Sequence, residues 1–126
     1  MKKIINTENA PAPIGPYNQA ILSNGTLYIS GQIPIDPKSG ELVSGDIKLE
    51  TKQSMENLKA ILTEAEMTFE NVVKSSIFLS DMNQFTEVNE VYATYFNADT
   101  APARETVEVA NLPKFVNVEI SMIAVK

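Results

Sequence analysis

The chain has 126 residues, a formal net charge of −6, and neither cysteine nor histidine. That length fits one domain, residues 1–126, whose core needs no disulfide or metal staple. The missing side chains exclude thiol nucleophiles, thiolate metal sites, histidine-ligated zinc, serine–histidine triads and histidine-based RNA cleavage within the chain.

Acid–base chemistry therefore falls to carboxylates, tyrosines and lysines, and the acidic balance with its scattered lysines sets the chain against phosphate backbones. Polar residues Asn6 to Asn9 interrupt the N-terminal stretch before a signal-peptide segment can form, and no apolar run approaches a membrane span. The expectation is a soluble, cytoplasmic protein.

Residues 7–16 carry three prolines and a glycine and read as an ordered loop or edge-hugging arm. Tyr17–Leu22 and Thr26–Ser30 then read as strands, with Asn24-Gly25 supplying the positive φ angles of a tight hairpin. Gly31 follows, where a missing Cβ either marks a simple bulge or lets another group approach closely. Turn formers fill the next stretch, with a short extended piece at Glu41–Val43.

Asp46 is a helix cap, and Met55, Leu58, Leu62 and Ala65 recur at helical spacing from Ile47 to Ala65. Val72–Ser80 reads as a strand, with Val73, Ser75, Ile77 and Leu79 sharing one face. A second helix is expected over Phe85–Phe96, its stripe formed by Phe85, Val88, Tyr92, Tyr95 and Phe96. Asn89 lies four residues after Phe85 and three before Tyr92, so it shares that buried side and must be paired, either to backbone or to a ligand.

Two strands close the chain, Arg104–Ala110 and Val116–Val125. Alternation puts Arg104, Thr106 and Glu108 on one face and Glu105, Val107 and Val109 on the other. Glu119 shares a face with Asn117, Ser121 and Ile123, a carboxylate within an otherwise apolar strand, which calls for a partner or a raised pKa. Arg104 is the only arginine beside nine lysines. Its rigid fork suits bidentate binding of a carboxylate or phosphate, although a structural ion pair would also account for it.

The order β-β-(β)-α-β-α-β-β gives an α+β sheet with two helices on one face. The opposite face, rich in valine and isoleucine, is expected to be covered by another subunit in a closed homo-oligomer.

Several segments together resemble the Rid family, also called the YjgF or L-PSP family, and specifically its RidA-type imine deaminases. They are Gly15-Pro16-Tyr17-Asn18-Gln19-Ala20, Ser30-Gly31-Gln32-Ile33-Pro34, Val88-Asn89, Pro102-Ala103-Arg104 and Val118-Glu119-Ile120. The resemblance spans essentially the whole chain. It implies a chorismate-mutase-like fold, a homotrimer with clefts between subunits, and cofactor-free hydrolysis of 2-imino acids such as 2-iminobutanoate and 2-iminopropanoate to 2-oxo acids and ammonia. Such imines arise from pyridoxal-phosphate dehydratases, threonine dehydratase among them. The family is also linked to ribonuclease and translation-inhibitor activity.

On the same resemblance, Arg104 would hold the substrate carboxylate with help from the Thr106 backbone amide. Glu119 would position or activate water, and Tyr17, Ser30, Gly31 and Asn89 would line the cleft, with Tyr17 coming from the neighbouring subunit relative to Arg104. Three positions depart from the common pattern. Glu105 stands where small or apolar residues are usual, Thr106 where many members have cysteine, and Asn18 where serine is frequent. Alternation points Glu105 away from Arg104.

Overall fold

The computed structural model describes residues 1–126, folded as one six-stranded sheet with two α-helices. In chain order the elements are β1 (Lys2–Ile5), β2 (Ala20–Ser23), β3 (Thr26–Gln32), α1 (Ile47–Glu64), β4 (Val72–Leu79), α2 (Phe85–Ala93), β5 (Ala103–Glu108) and β6 (Val118–Val125). The spatial order is β1-β2-β3-β6-β4-β5, antiparallel throughout except for the β4–β5 pair. The last strand in sequence thus fills the centre, and Glu119 stands on it.

Local chemistry sets the turns. Asn24 and Gly25 take φ of 51° and 79°, and Ser23 pairs with Thr26 across them, as the hairpin requires. Asp46 Oδ1 accepts from the backbone N–H of Lys48 and Leu49, a cap that typically contributes ~1 kcal/mol. The core lies between sheet and helices: Met55, Leu58, Ile61 and Leu62 of α1 and Val88 and Tyr92 of α2 pack on Leu27, Ile77, Leu79, Ile120 and Met122. No helix is long and apolar enough to cross a membrane.

Three expectations are corrected. The third N-terminal strand is Lys2–Ile5, paired with β2, and Glu41–Val43 contributes only an isolated bridge between Ile35 and Leu42. Only Ile5 of β1 is buried, and two lysines at its start read as solvated chain because edge strands carry charge. Strand β2 starts at Ala20, which leaves Tyr17 on the preceding loop.

Val73 does not share the face of Ser75, Ile77 and Leu79. A bulge opposes Val72 and Val73 to one step of β6, so that Val72 turns inward and Val73 outward. The remaining alternation of β4, β5 and β6 follows the expected faces, except that Asn117 lies ahead of β6, which starts at Val118, and turns to Glu50 of α1 instead of sharing the face of Glu119.

The helix-free face runs from Ile4 through Ile21 and Tyr28 to Ile123 along paired positions, and across Phe78 to Val107. Ile4, Tyr28, Val73 and Val107 are all exposed there, Tyr28 by 52 %.

Candidate functional site

Strand register decides where the arginine goes. Arg104 pairs with buried Ser75 on β4, so it lies on the helix-bearing face, at the sheet's edge and beside α2. There its Nη1 donates to Asn89 Oδ1 at 2.6 Å, and its Cζ stands 5.5 Å from the Phe85 ring centroid and 5.3 Å from that of Tyr92. Asn89 is thus paired to a side chain rather than to backbone. Arg104 makes no ion pair within the chain, where the salt bridges are Lys48–Glu90 and Lys74–Glu105. The Thr106 Oγ1, on the same face two residues on, is shielded from solvent and has no hydrogen-bond partner.

Glu105 points the other way. Its carboxylate takes Lys74 Nζ at 2.8 Å and the Ser76 hydroxyl, both on the helix-free face, and these bonds, that to Lys74 foremost, hold its pKa below the ordinary carboxylate value. It therefore does not compete for the Arg104 guanidinium of its own chain.

The second group of residues sits elsewhere. Glu119 pairs with Phe78 on the helix-free face and opens into a cleft of about 510 Å³ that Tyr17, Ser30, Gly31, Ile33 and Lys114 also line. The β3–β6 register shifts between Ile29 and Gln32, so Gly31 lies at a bulge. A Cβ on Gly31 would stand 2.8 Å from the Glu119 Cδ. Bulge and close approach are one feature here: the missing side chain makes room for the carboxyl group.

Glu119 is half-buried and makes no hydrogen bond or ion pair within the chain, and burial pushes its pKa up from the usual carboxylate value. Ser30 Oγ donates to the Asn18 carbonyl at 2.6 Å, and Tyr17 Oη accepts from the Ile14 N–H at 3.3 Å, which braces the loop over the cleft. The start of β6 is fastened from below: Asn117 Nδ2 donates to buried Glu50 of α1 at 3.2 Å, and the Ser80 hydroxyl donates to Asn117 Oδ1 at 2.9 Å.

Within one chain the structure brings Tyr17, Ser30, Gly31 and Glu119 together, and separately Asn89, Arg104 and Thr106, on opposite faces of the sheet. Lys114 is not among the residues the sequence singles out, and helical spacing marks Phe85 and Tyr92 only as core. The position of Lys114 just ahead of the Glu119 strand was the available signal. Lys114 and Phe115 both hold left-handed backbone, φ 55° and 54°, a conformation non-glycine residues seldom adopt outside constrained sites. A larger groove of about 620 Å³ lies along the outer side of α1, among hydrophilic residues such as Asp36, Lys38, Gln53 and Glu64. It holds none of the residues singled out above.

A mixed sheet with β6 inserted at its centre and two helices on one face define an α+β protein. Residues 7–126 match the family described as Endoribonuclease L-PSP. The chain is 56 % identical to a RutC family protein of Pyrococcus horikoshii, over 100 % of this chain and 99 % of that one. It is 50 % identical to the 2-iminobutanoate/2-iminopropanoate deaminase of Mus musculus, over 100 % and 93 % of the two chains. The crystal structure of E. coli TdcF with bound serine superposes with a TM-score of 0.92 at 41 % identity, covering 98 % of each chain. The chain belongs to the Rid (YjgF/L-PSP) family that its motifs resemble.

Proposed function

We propose that the protein is a cofactor-free hydrolase of small 2-imino acids, acting on 2-iminobutanoate and 2-iminopropanoate to give 2-oxo acids and ammonia. The observation that carries the reading is Glu119, a half-buried carboxylate of raised pKa without any partner in its own chain, set in an open cleft. An imine is already electrophilic, more so when protonated, so its hydrolysis needs orientation, a water and a carboxylate rather than a strong nucleophile. Neither histidine nor cysteine is required.

In this reading Arg104 binds the substrate carboxylate through two parallel N–H bonds, and the Thr106 backbone amide assists. Glu119 draws a proton from the attacking water. The proton passes to the nitrogen of the tetrahedral adduct, and the C–N bond breaks to release ammonia as the adduct collapses to the oxo acid. Tyr17, Ser30 and Gly31 shape the cleft around the reacting carbon, and Asn89 orients the guanidinium.

The two halves lie on opposite faces of one sheet, so one chain cannot close them around one small molecule. A homotrimer resolves this: the exposed apolar face carrying Ile4, Tyr28 and Val107 is covered by neighbouring copies. Each cleft then takes Glu119 and Tyr17 from one subunit and Arg104 from the next.

The experiment is a coupled assay. Added to a threonine dehydratase reaction, the purified protein is expected to speed ammonia release severalfold. No acceleration under conditions where the protein is folded and oligomeric sinks the reading.

A second reading, binding of small carboxylates without turnover, draws on the serine bound by the related E. coli TdcF. Calorimetric binding of a 2-oxo acid alongside an unaccelerated dehydratase reaction would select it. Ribonuclease activity draws no support from a chain with net charge −6 and no histidine.

A further inference from the structure

An exposed arginine on an edge strand loses much rotamer freedom before it can hold a carboxylate in one orientation. The surroundings of Arg104 remove that freedom beforehand. Asn89 Oδ1 accepts a hydrogen bond from Nη1 at 2.6 Å, and the ring centroids of Phe85 and Tyr92 stand 5.5 and 5.3 Å from Cζ. All three come from a single stripe of α2.

Tyr92 is itself anchored. Its ring is buried, and its hydroxyl donates at 2.9 Å to Ser75 Oγ. Ser75, fully buried, is the strand partner of Arg104 in the β4–β5 register. The ring is thus tied to the position directly beside the side chain it supports. A buried phenol hydroxyl needs a partner in any role, and here that partner is the residue paired with Arg104.

We infer that Phe85 and Tyr92 are positioning residues, an aromatic cradle that holds the Arg104 guanidinium in one orientation before substrate arrives. The inference rests on the reading of Arg104 as the carboxylate anchor. Guanidinium groups stack on aromatic faces, and of the five N–H donors only one is taken by Asn89. The remaining donors stay available for a planar anion. The cradle thereby lowers the ordering cost of binding, which would otherwise appear as weaker affinity.

Because Arg104 is the sole arginine, the signal of a ¹⁵N-labelled Nε–H reports on this group alone. In the ligand-free full chain the expected Nε order parameter is near that of rigid backbone, about 0.85, falling below about 0.6 in Phe85→Leu and in Tyr92→Leu. Tyr92→Phe keeps the ring, loses the tie to Ser75 and falls between.

Calorimetry with 2-oxobutanoate is expected to show Kd about 10-fold higher in Tyr92→Leu, the size of one lost orienting contact. The same change made in an Arg104→Ala background has no further effect. An Nε that is mobile in the wild type, or stays rigid in both leucine variants, overturns the cradle.

If the wild type fails to hydrolyse imines while its Nε is rigid and the leucine variants loosen it, the cradle stands and the proposed activity falls. Should Tyr92→Leu unfold, Phe85→Leu at its half-buried position carries the test.

Discussion

Replacing Arg104 with alanine is expected to lower kcat/KM for 2-imino acid hydrolysis by about 10²–10⁴-fold, the loss of two charge-assisted hydrogen bonds at ~1.5–3 kcal/mol each. The variant should fold normally. Arg104 is exposed and makes no intrachain ion pair, so its removal frees the Asn89 amide at a half-buried position and uncovers the Phe85 and Tyr92 rings, without leaving a buried charge unpaired.

Arg104→Lys should recover only part of the loss, because an ammonium offers a point charge where a planar fork matches the carboxylate. Steady-state kinetics on imine generated in situ, with 2-oxobutanoate binding measured beside it, check both variants. An Arg104→Ala enzyme with unchanged kcat/KM would remove the arginine from the site.

Glu119→Gln is expected to cut kcat by about 10²–10³-fold with little change in KM, as for loss of a general base. The pH profile gives a second handle. Burial raises the Glu119 pKa above its ordinary value, and the proton-accepting form is the carboxylate, so the wild-type rate should rise with pH through that raised pKa. Glutamine should abolish this acid limb.

Stability should move the other way. A carboxyl whose pKa is raised on folding stabilises the fold fully below its unfolded pKa and loses that contribution as pH climbs through the folded pKa. Glu119→Gln is therefore expected to melt higher than wild type near neutrality, with the difference vanishing in acid.

Gly31→Ala should reproduce the kinetic defect from outside the carboxyl group. A Cβ at 2.8 Å from Cδ must swing the end of Glu119 aside, and a displacement of about 1 Å at a reacting group can cost about 10²-fold. Melting should barely change, since the group that yields is the end of a flexible side chain.

Much of this was legible in the sequence because β5 and β6, which carry Arg104 and Glu119, keep the period-two alternation. Period two alone puts Arg104 and Glu105 on opposite faces, and the structure sends one to Asn89 and the other to Lys74. Glu119 stood out because a carboxylate in an apolar strand has few explanations.

Where alternation broke, the reading broke with it. The bulge at Val72–Val73 reversed the face of Val73, and no local signal announces an extra residue in a strand. Strand β1 was hidden for a different reason: four residues with one buried side chain carry too little periodicity to register. The role of Phe85 and Tyr92 was invisible because a ring beneath a guanidinium and a ring in a core leave the same helical pattern. Which of the two it is depends on the register of β5, a contact between distant segments.

The claim that Arg104 and Glu119 act together from different subunits is tested most directly by mixing two inactive variants. Arg104→Ala and Glu119→Gln chains, unfolded together in equal amounts and refolded, should regain activity. In a closed ring where each site takes one residue from either side, about a quarter of the sites pair an intact arginine with an intact glutamate. Activity near that fraction of wild type is the predicted result. A mixture that reassembles into mixed oligomers, verified by mass spectrometry, yet stays as inactive as its components would contradict the account.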